Sequence, residues 1–193
     1  MFMGHYATAL IPYAVTHKKG QKPVPFWLFL LGAQLLDLLM VTFVALGVEE
    51  FLPAMYSPMG MKFYEMQTDM TYSHDLLPVA IWTVAFATFA WLLFRRLDVA
   101  LWAALLVVIH EAFDLLVGFK HFVFGQGSAE VGLGLYSSAP LIGLVIETLI
   151  CACIVWWFVR VRAKNGRPVS RGLKAGLYII LVGGTLATLP MAI

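Results

Sequence analysis

Charge is what this sequence has least of. Only 12% of its 193 residues are Asp, Glu, Lys or Arg, about half the share of an ordinary soluble domain. Hydrophobic residues make up 61%, and the mean hydropathy is +0.85. That balance excludes a soluble enzyme, a disordered tail and a nucleic-acid-binding module. Cysteine is scarce too: Cys151 and Cys153 stand two apart in one apolar run. On a helix they point to different sides, which argues against a disulfide framework and a thiolate zinc site. A formal net charge of +2 supplies no global field for nucleic acid or an acidic partner. The start, MFMGHYATALIPYAV, has no basic stretch before its apolar one, the wrong order for a cleaved signal peptide. Internal repeats and low-complexity stretches are absent, so 1–193 reads as a single transmembrane domain.

What the sequence has is apolar length. Five long segments run roughly Phe26–Val48, Leu76–Phe94, Leu97–Gly118, Leu135–Val159 and Gly172–Ala192. Each is near the ~20 residues that cross about 30 Å of hydrocarbon. Backbone groups in lipid must be satisfied within the segment, so all five are expected to be helices. Phe2–Thr16 is shorter and contains Pro12. It is expected as a short tilted span or a half-inserted helix. The predicted fold is an all-α integral membrane bundle of five long helices plus this short one. The longest polar connection, Glu49–Ser73, is expected to hold only short interfacial structure.

Orientation follows from the basic residues. Lys18, Lys19 and Lys22, then Arg95 and Arg96, then Arg160, Arg162, Lys164, Arg167, Arg171 and Lys174 occupy alternate connections. These are eleven of the thirteen basic residues, and Asp98 is the one acid among them. The positive-inside rule predicts that these loops are cytoplasmic. The connections Glu49–Ser73 and Phe119–Gly134 and the C-terminus would then face outward. By helical rise, Asp37 stands about 16 Å, His110 about 20 Å and Asp114 about 26 Å from the basic end. His74 and Asp75 start their helix at the outer side, His5 lies near the outer end of the first segment, and Glu147 lies about three turns below the outer surface. Residues from five segments therefore gather between the midplane and the outer face.

Ionisable groups inside a membrane are costly, commonly by a few kcal/mol, and usually mark function. His110 and Asp114 form H-x-x-x-D and share one helix face. With His5, Asp37 and His74 they make a His/Asp set suited to a divalent cation such as zinc. Bound metal would neutralise carboxylates that are otherwise expensive to bury. Bland roles exist for each residue. Ser73 and Asp75 suit a helix start, His110 and Asp114 an i,i+4 pair, Asp37 a bond to Gln34, and Glu147 a packed carboxyl. His17 belongs to the basic loop and reads as solvated. For His121, at an outer boundary, a surface role is as well supported as ligation. Glu111 points about 100° away from His110 and is expected behind the ligands. Tyr6, Tyr64, Tyr72 and Tyr136 read as an aromatic belt.

The order of short motifs carries a resemblance. Gly4-His5-Tyr6-Ala7, Ala33–Asp37 (AQLLD), Tyr72–His74 (YSH), His110–Leu115 (H-x-x-x-D-L) and Val131–Tyr136 (VGLGLY) precede Glu147. In this the chain resembles the bacterial inner-membrane proteins called membrane-bound metal-dependent hydrolases, over most of Met1–Phe158. A more distant likeness is to the all-helical zinc phospholipase C and single-strand nuclease group. That likeness implies His5, Asp37, His74, His110, Asp114 and His121 as metal ligands, with Asp114 bridging two ions and Glu147 matching a final Glu. The chain departs from it at Gly143, where that pattern has His, and Asp75 stands where the membrane family usually has Ser.

The resemblance implies metal-dependent hydrolysis and does not supply a substrate. The expectation from the topology is a mono- or dinuclear zinc site opening to the outer leaflet or periplasm, where phosphoesters or lipid headgroups lie at the depth of the outer residues. Glu147 or Asp37 would take a proton from water. Membrane lipids are then the expected partners, and no nucleic acid is. Two other classes stay open: a non-catalytic protein or accessory subunit of a membrane complex with a structural metal site, and a transporter using Asp37, Asp114 and Glu147. No half of the chain mirrors the other, which speaks against the transporter.

Overall fold

The computed structural model describes residues 3–16, 23–52 and 62–193. His17, Lys18, Lys19 and Lys22 lie outside the described residues. Among the described residues, four helices are long and apolar enough to cross a membrane: α5 (Leu76–Phe94), α6 (Leu97–Val117), α8 (Pro140–Lys164) and the last helix, α9 (Arg171–Ala192). The bent pair α3 (Phe26–Ala33) and α4 (Leu35–Ala45), which turn by 60° at Gln34, makes a fifth when counted as one span. The protein is an all-α integral membrane protein, as expected. The expected continuous helix through Phe26–Val48 is corrected to this broken one. Asp37 accordingly lies in the first turn of α4 and not deep inside a straight span.

The N-terminal segment holds α1 (Met3–Thr8) and α2 (Leu10–Val15). Together they extend about 20 Å at ~1.5 Å per residue, short of the ~30 Å hydrocarbon core. Gly4, His5, Ala7, Thr8, Leu10, Pro12 and Ala14 are all buried. This is a helix enclosed by its neighbours, packed on α8, α3 and α9. Small residues at Gly4, Ala7 and Ala14 permit the close approach, as is common between membrane helices.

Three apolar clusters hold the bundle. Leu28, Phe29, Phe86, Leu106 and Val107 join α3, α5 and α6. Leu10, Cys151, Val155, Phe158 and Leu181 join the N-terminal helices to α8 and α9. Phe63, Val117, Tyr136 and Leu144 pack beneath the polar connections. Close packing of α3 on α5 requires Gly32: a Cβ there would lie 2.6 Å from the Phe86 ring. Outward-facing Ile81, Val84, Leu101, Val145, Leu149 and Ile179 are more than half exposed. A soluble monomer rarely exposes apolar surface on that scale, whereas lipid accepts it.

The two ends of the bundle differ. At one end Arg96 Nη2 reaches the Thr16 carbonyl at 3.4 Å, and Arg162 lies over the Tyr13 ring at 5.9 Å. The α5–α6 turn, the end of α8 and the end of α2 therefore meet. Arg95 closes α5 in the left-handed conformation, φ 53°. At the other end lie two small antiparallel pairs, β1 (Glu50–Leu52) with β2 (Gln67–Asp69), and β3 (His121–Phe122) with β4 (Glu130–Val131). The short α7 (Leu135–Ser138) stands apart from α8, with Ala139 breaking between them.

Candidate metal centre

Five of the proposed ligands converge. His5 from α1, Asp37 from α4, His74 before α5, and His110 and Asp114 from α6 form two overlapping sets. One holds His5, His110 and Asp114; the other holds Asp37, His74 and His110; within each, one ligand atom per residue lies within 4.8 Å of the others. His110 Nε2 is 3.3 Å from Asp114 Oδ2 and 3.7 Å from Asp37 Oδ1. His74 Nε2 is 3.7 Å from both Asp37 Oδ1 and Asp114 Oδ2. His5 Nε2 is 3.1 Å from Asp114 Oδ1, and its ring stacks on His110 with centroids 3.6 Å apart. Asp114 thus faces three imidazoles.

The other ring nitrogens fix the tautomers. His110 Nδ1 is 2.7 Å from the Ala33 carbonyl, which can only accept. That nitrogen therefore carries a proton, and in the neutral ring the lone pair is on Nε2. The turn at Gln34 places this carbonyl, at the end of α3, against α6. His110 Nε2 is buried and has no hydrogen-bond partner. His74 Nδ1 is 2.8 Å from Ser73 Oγ, and Ser73 Oγ donates to Glu49 Oε2 at 2.8 Å. With the hydroxyl proton committed to Glu49, His74 Nδ1 must donate, which again leaves Nε2 free. Imidazoles that bind metal commonly donate their second N–H to a carbonyl or an acidic partner in this way. The donor set and the unpartnered Nε2 of His110 therefore fit a divalent cation, and these buried groups can hold a metal ion.

Glu49 is the residue that sequence reasoning missed. It is 3% exposed and accepts hydrogen bonds from Tyr72 N, Ser73 N and Ser73 Oγ. Nothing local marks it, since Glu50 beside it is exposed. Gln34 is the partner of Asp37 that the sequence offers. With its amide turned to satisfy both neighbours, its nitrogen donates to Asp37 Oδ2 at 3.0 Å and its oxygen accepts from Tyr6 N at 3.3 Å.

Two expected site residues lie elsewhere. His121 is in neither ligand set. Its Nδ1 donates to the His74 carbonyl at 2.9 Å and lies 3.3 Å from Glu111 Oε1. Burial works against its charged form, but the Glu111 carboxylate outweighs this and raises its pKa above the ordinary value. Glu147, expected as a proton acceptor, has both oxygens engaged. It accepts from Gly4 N at 2.9 Å and from the Tyr136 hydroxyl. It anchors the helix that carries His5. Tyr136 is 1% exposed, so it is removed from the expected aromatic belt, while Tyr6, Tyr64 and Tyr72 are well exposed. The departure at Gly143 has a reason as well: a Cβ there would lie 3.1 Å from the Tyr136 ring, which takes the space of a larger side chain.

Asp75 stands at the N-cap position of α5 but makes no cap bond. Its carboxylate accepts from Phe122 N and Gly125 N, tying the β3–β4 loop to the cluster.

Above the cluster lies a cavity of about 580 Å³. Asp37, His74, Asp114 and His121 line it. Five of the nine methionines, Met3, Met40, Met66, Met70 and Met191, make up much of the remaining wall. The Asp37 side chain is 34% exposed, against 8% for Asp114 and 0% for His110. The cluster is closed behind by His5 and His110 and open through Asp37. Comparison with protein-family models, curated proteins and solved structures returns no match.

Proposed function

We propose that this protein is a metal-dependent membrane hydrolase, with zinc as the favoured ion, acting on phosphoesters such as those of lipid headgroups. The observation that carries this reading is the open face of the cluster: His74 and the carboxylates of Asp37 and Asp114 form the floor of a largely apolar cavity. A structural zinc site has a closed set of four protein ligands, whereas a catalytic one keeps a position open. The motif resemblance to membrane-bound metal-dependent hydrolases points the same way.

His5, His74, His110 and Asp114 would hold one ion or a pair of ions between them, leaving the Asp37 side open to the cavity. When bound, such an ion supplies Lewis acidity and a more acidic water. Asp37 is the carboxylate that faces the cavity, so it is in position to take a proton from an attacking water. Gln34 holds its Oδ2 and so orients it. Glu147 and Tyr136 keep the His5 helix in place, and Ser73 with Glu49 keeps His74 in the right tautomer. The basic loops would be cytoplasmic and the site would face outward, in a bacterial inner membrane.

The test is hydrolysis of bis(p-nitrophenyl) phosphate and of phospholipid vesicles by the detergent-purified protein. Turnover should vanish with a chelator and return with a divalent ion. Asp37→Asn should lower kcat by roughly 10²–10⁴-fold. Bound metal with no turnover on either substrate would instead favour a structural site in an accessory subunit.

A further inference from the structure

A second cavity, of about 320 Å³, opens between α1, α3 and α9. Met3, Tyr6, Phe26, Leu30, Leu177 and Leu181 line it, and its wall is apolar throughout. Met3 and Tyr6 also line the cavity above the His/Asp cluster. The two spaces therefore share a wall at Met3 and Tyr6.

The direction of this groove is set by the helices. On α9, Thr188 and Met191 border the cluster cavity, while Leu177 and Leu181 border the groove. Thr188 and Leu177 are about 16 Å apart along the axis at ~1.5 Å per residue. On the N-terminal helices the order is the same, with His5 at the cluster, Leu10 in the groove and Thr16 beside Arg96. The groove therefore runs from the cluster toward the basic end. The α9 wall widens at the same height, where Tyr178–Gly183 forms a π-helical turn. Such turns recur at functional sites.

We propose that this groove seats one hydrocarbon chain of a membrane lipid whose phosphate head lies at the His/Asp cluster. Lipid is the solvent of these helices, so it is the occupant in reach. A lipid of the leaflet opposite the basic loops has its head at the cluster end and its chain directed toward the bilayer centre, the course the groove takes. Met3, which lines both spaces, is a flexible side chain that adapts to chains of varied shape. The assignment of the head rests on the hydrolase reading; the seat for the chain does not.

The test reconstitutes the full chain in phosphatidylglycerol vesicles containing a lipid with a diazirine near the chain end. After irradiation, labelled peptides are mapped. Label should concentrate on 26–30 and 177–181. Leu30→Trp and Ile180→Trp, two independent ways to fill the groove, should each cut that label at least about fivefold, with bound metal per chain unchanged. Competing alkyl phosphates should gain potency about fourfold per methylene, the factor that ~0.8 kcal/mol gives. Label spread equally over Ile81, Val84 and Leu101, or indifferent to both fillings, overturns the seat. Alkyl glucosides competing as well as alkyl phosphates overturns the placement of the head. A parent with groove label but no bound metal would sink the hydrolase reading and leave the seat standing.

Discussion

Ser73 links a carboxylate and an imidazole through one hydroxyl: it donates to Glu49 and accepts from His74 Nδ1. Ser73→Ala removes that acceptor and leaves the His74 tautomer unset. Partners of this kind are commonly worth 10- to 100-fold in metal affinity, so Ser73→Ala should weaken binding by about that factor in a chelator competition. Unchanged affinity would show that Ser73 does not orient His74. Tyr136 differs, because its hydroxyl serves Glu147 and not the ligands. Tyr136→Phe should cost about 1–3 kcal/mol in detergent unfolding while leaving metal content intact. Much of this cluster was legible in the sequence. H-x-x-x-D shares a helix face by geometry alone, Asp37 stands out as a charge in an apolar run, and His74, at a polar helix start, joins them through the outer-side topology. Glu49 was not legible, since only a fold that brings Ser73 back over it buries one of two adjacent glutamates. Glu147 was legible as buried but not as engaged, because its partners, Gly4 N and Tyr136, come from distant segments.

The elements hold the ligands through their irregularities. α3 and α4 meet at a 60° turn, and that turn presents the Ala33 carbonyl to His110 and starts α4 with Asp37. Hydropathy predicted one straight span there because a bend at Gln34 leaves the apolar run unbroken. α6 ends at Gly118, where a Cβ would lie 2.9 Å from Asp114 Oδ1. Gly118→Ala should therefore displace Asp114 and lower metal occupancy, with Gly127→Ala, open to solvent, as the control. Equal occupancy in both variants would mean that Asp114 yields without cost. Leu76–Phe94 agrees with its expected bounds, since Asp75 and the Arg95–Arg96 turn are sharp polar limits. α8 instead continues to Lys164, because its basic last turn favours the helix terminus it reaches.

Across the described residues, Arg96 and Arg162 stand at one end and the ligands at the other. Arg96 and Arg162 gather around the end of the N-terminal helices, while His5, His74 and Asp114 meet at the far side. Single cysteines at Lys164 and Ser128, in a chain with Cys151 and Cys153 replaced, should react with a membrane-impermeant maleimide from opposite faces of intact cells. Ser128→Cys should label from outside; labelling of Lys164→Cys from outside would reverse the orientation. The central claim concerns the cluster itself, and metal stoichiometry tests it most directly. The purified parent should carry at least about one divalent ion per chain, held by nitrogen and oxygen at about 2.0–2.2 Å by X-ray absorption. His110→Ala and Asp114→Ala should each lose it. A metal-free parent, or unchanged metal in both variants, would contradict the account.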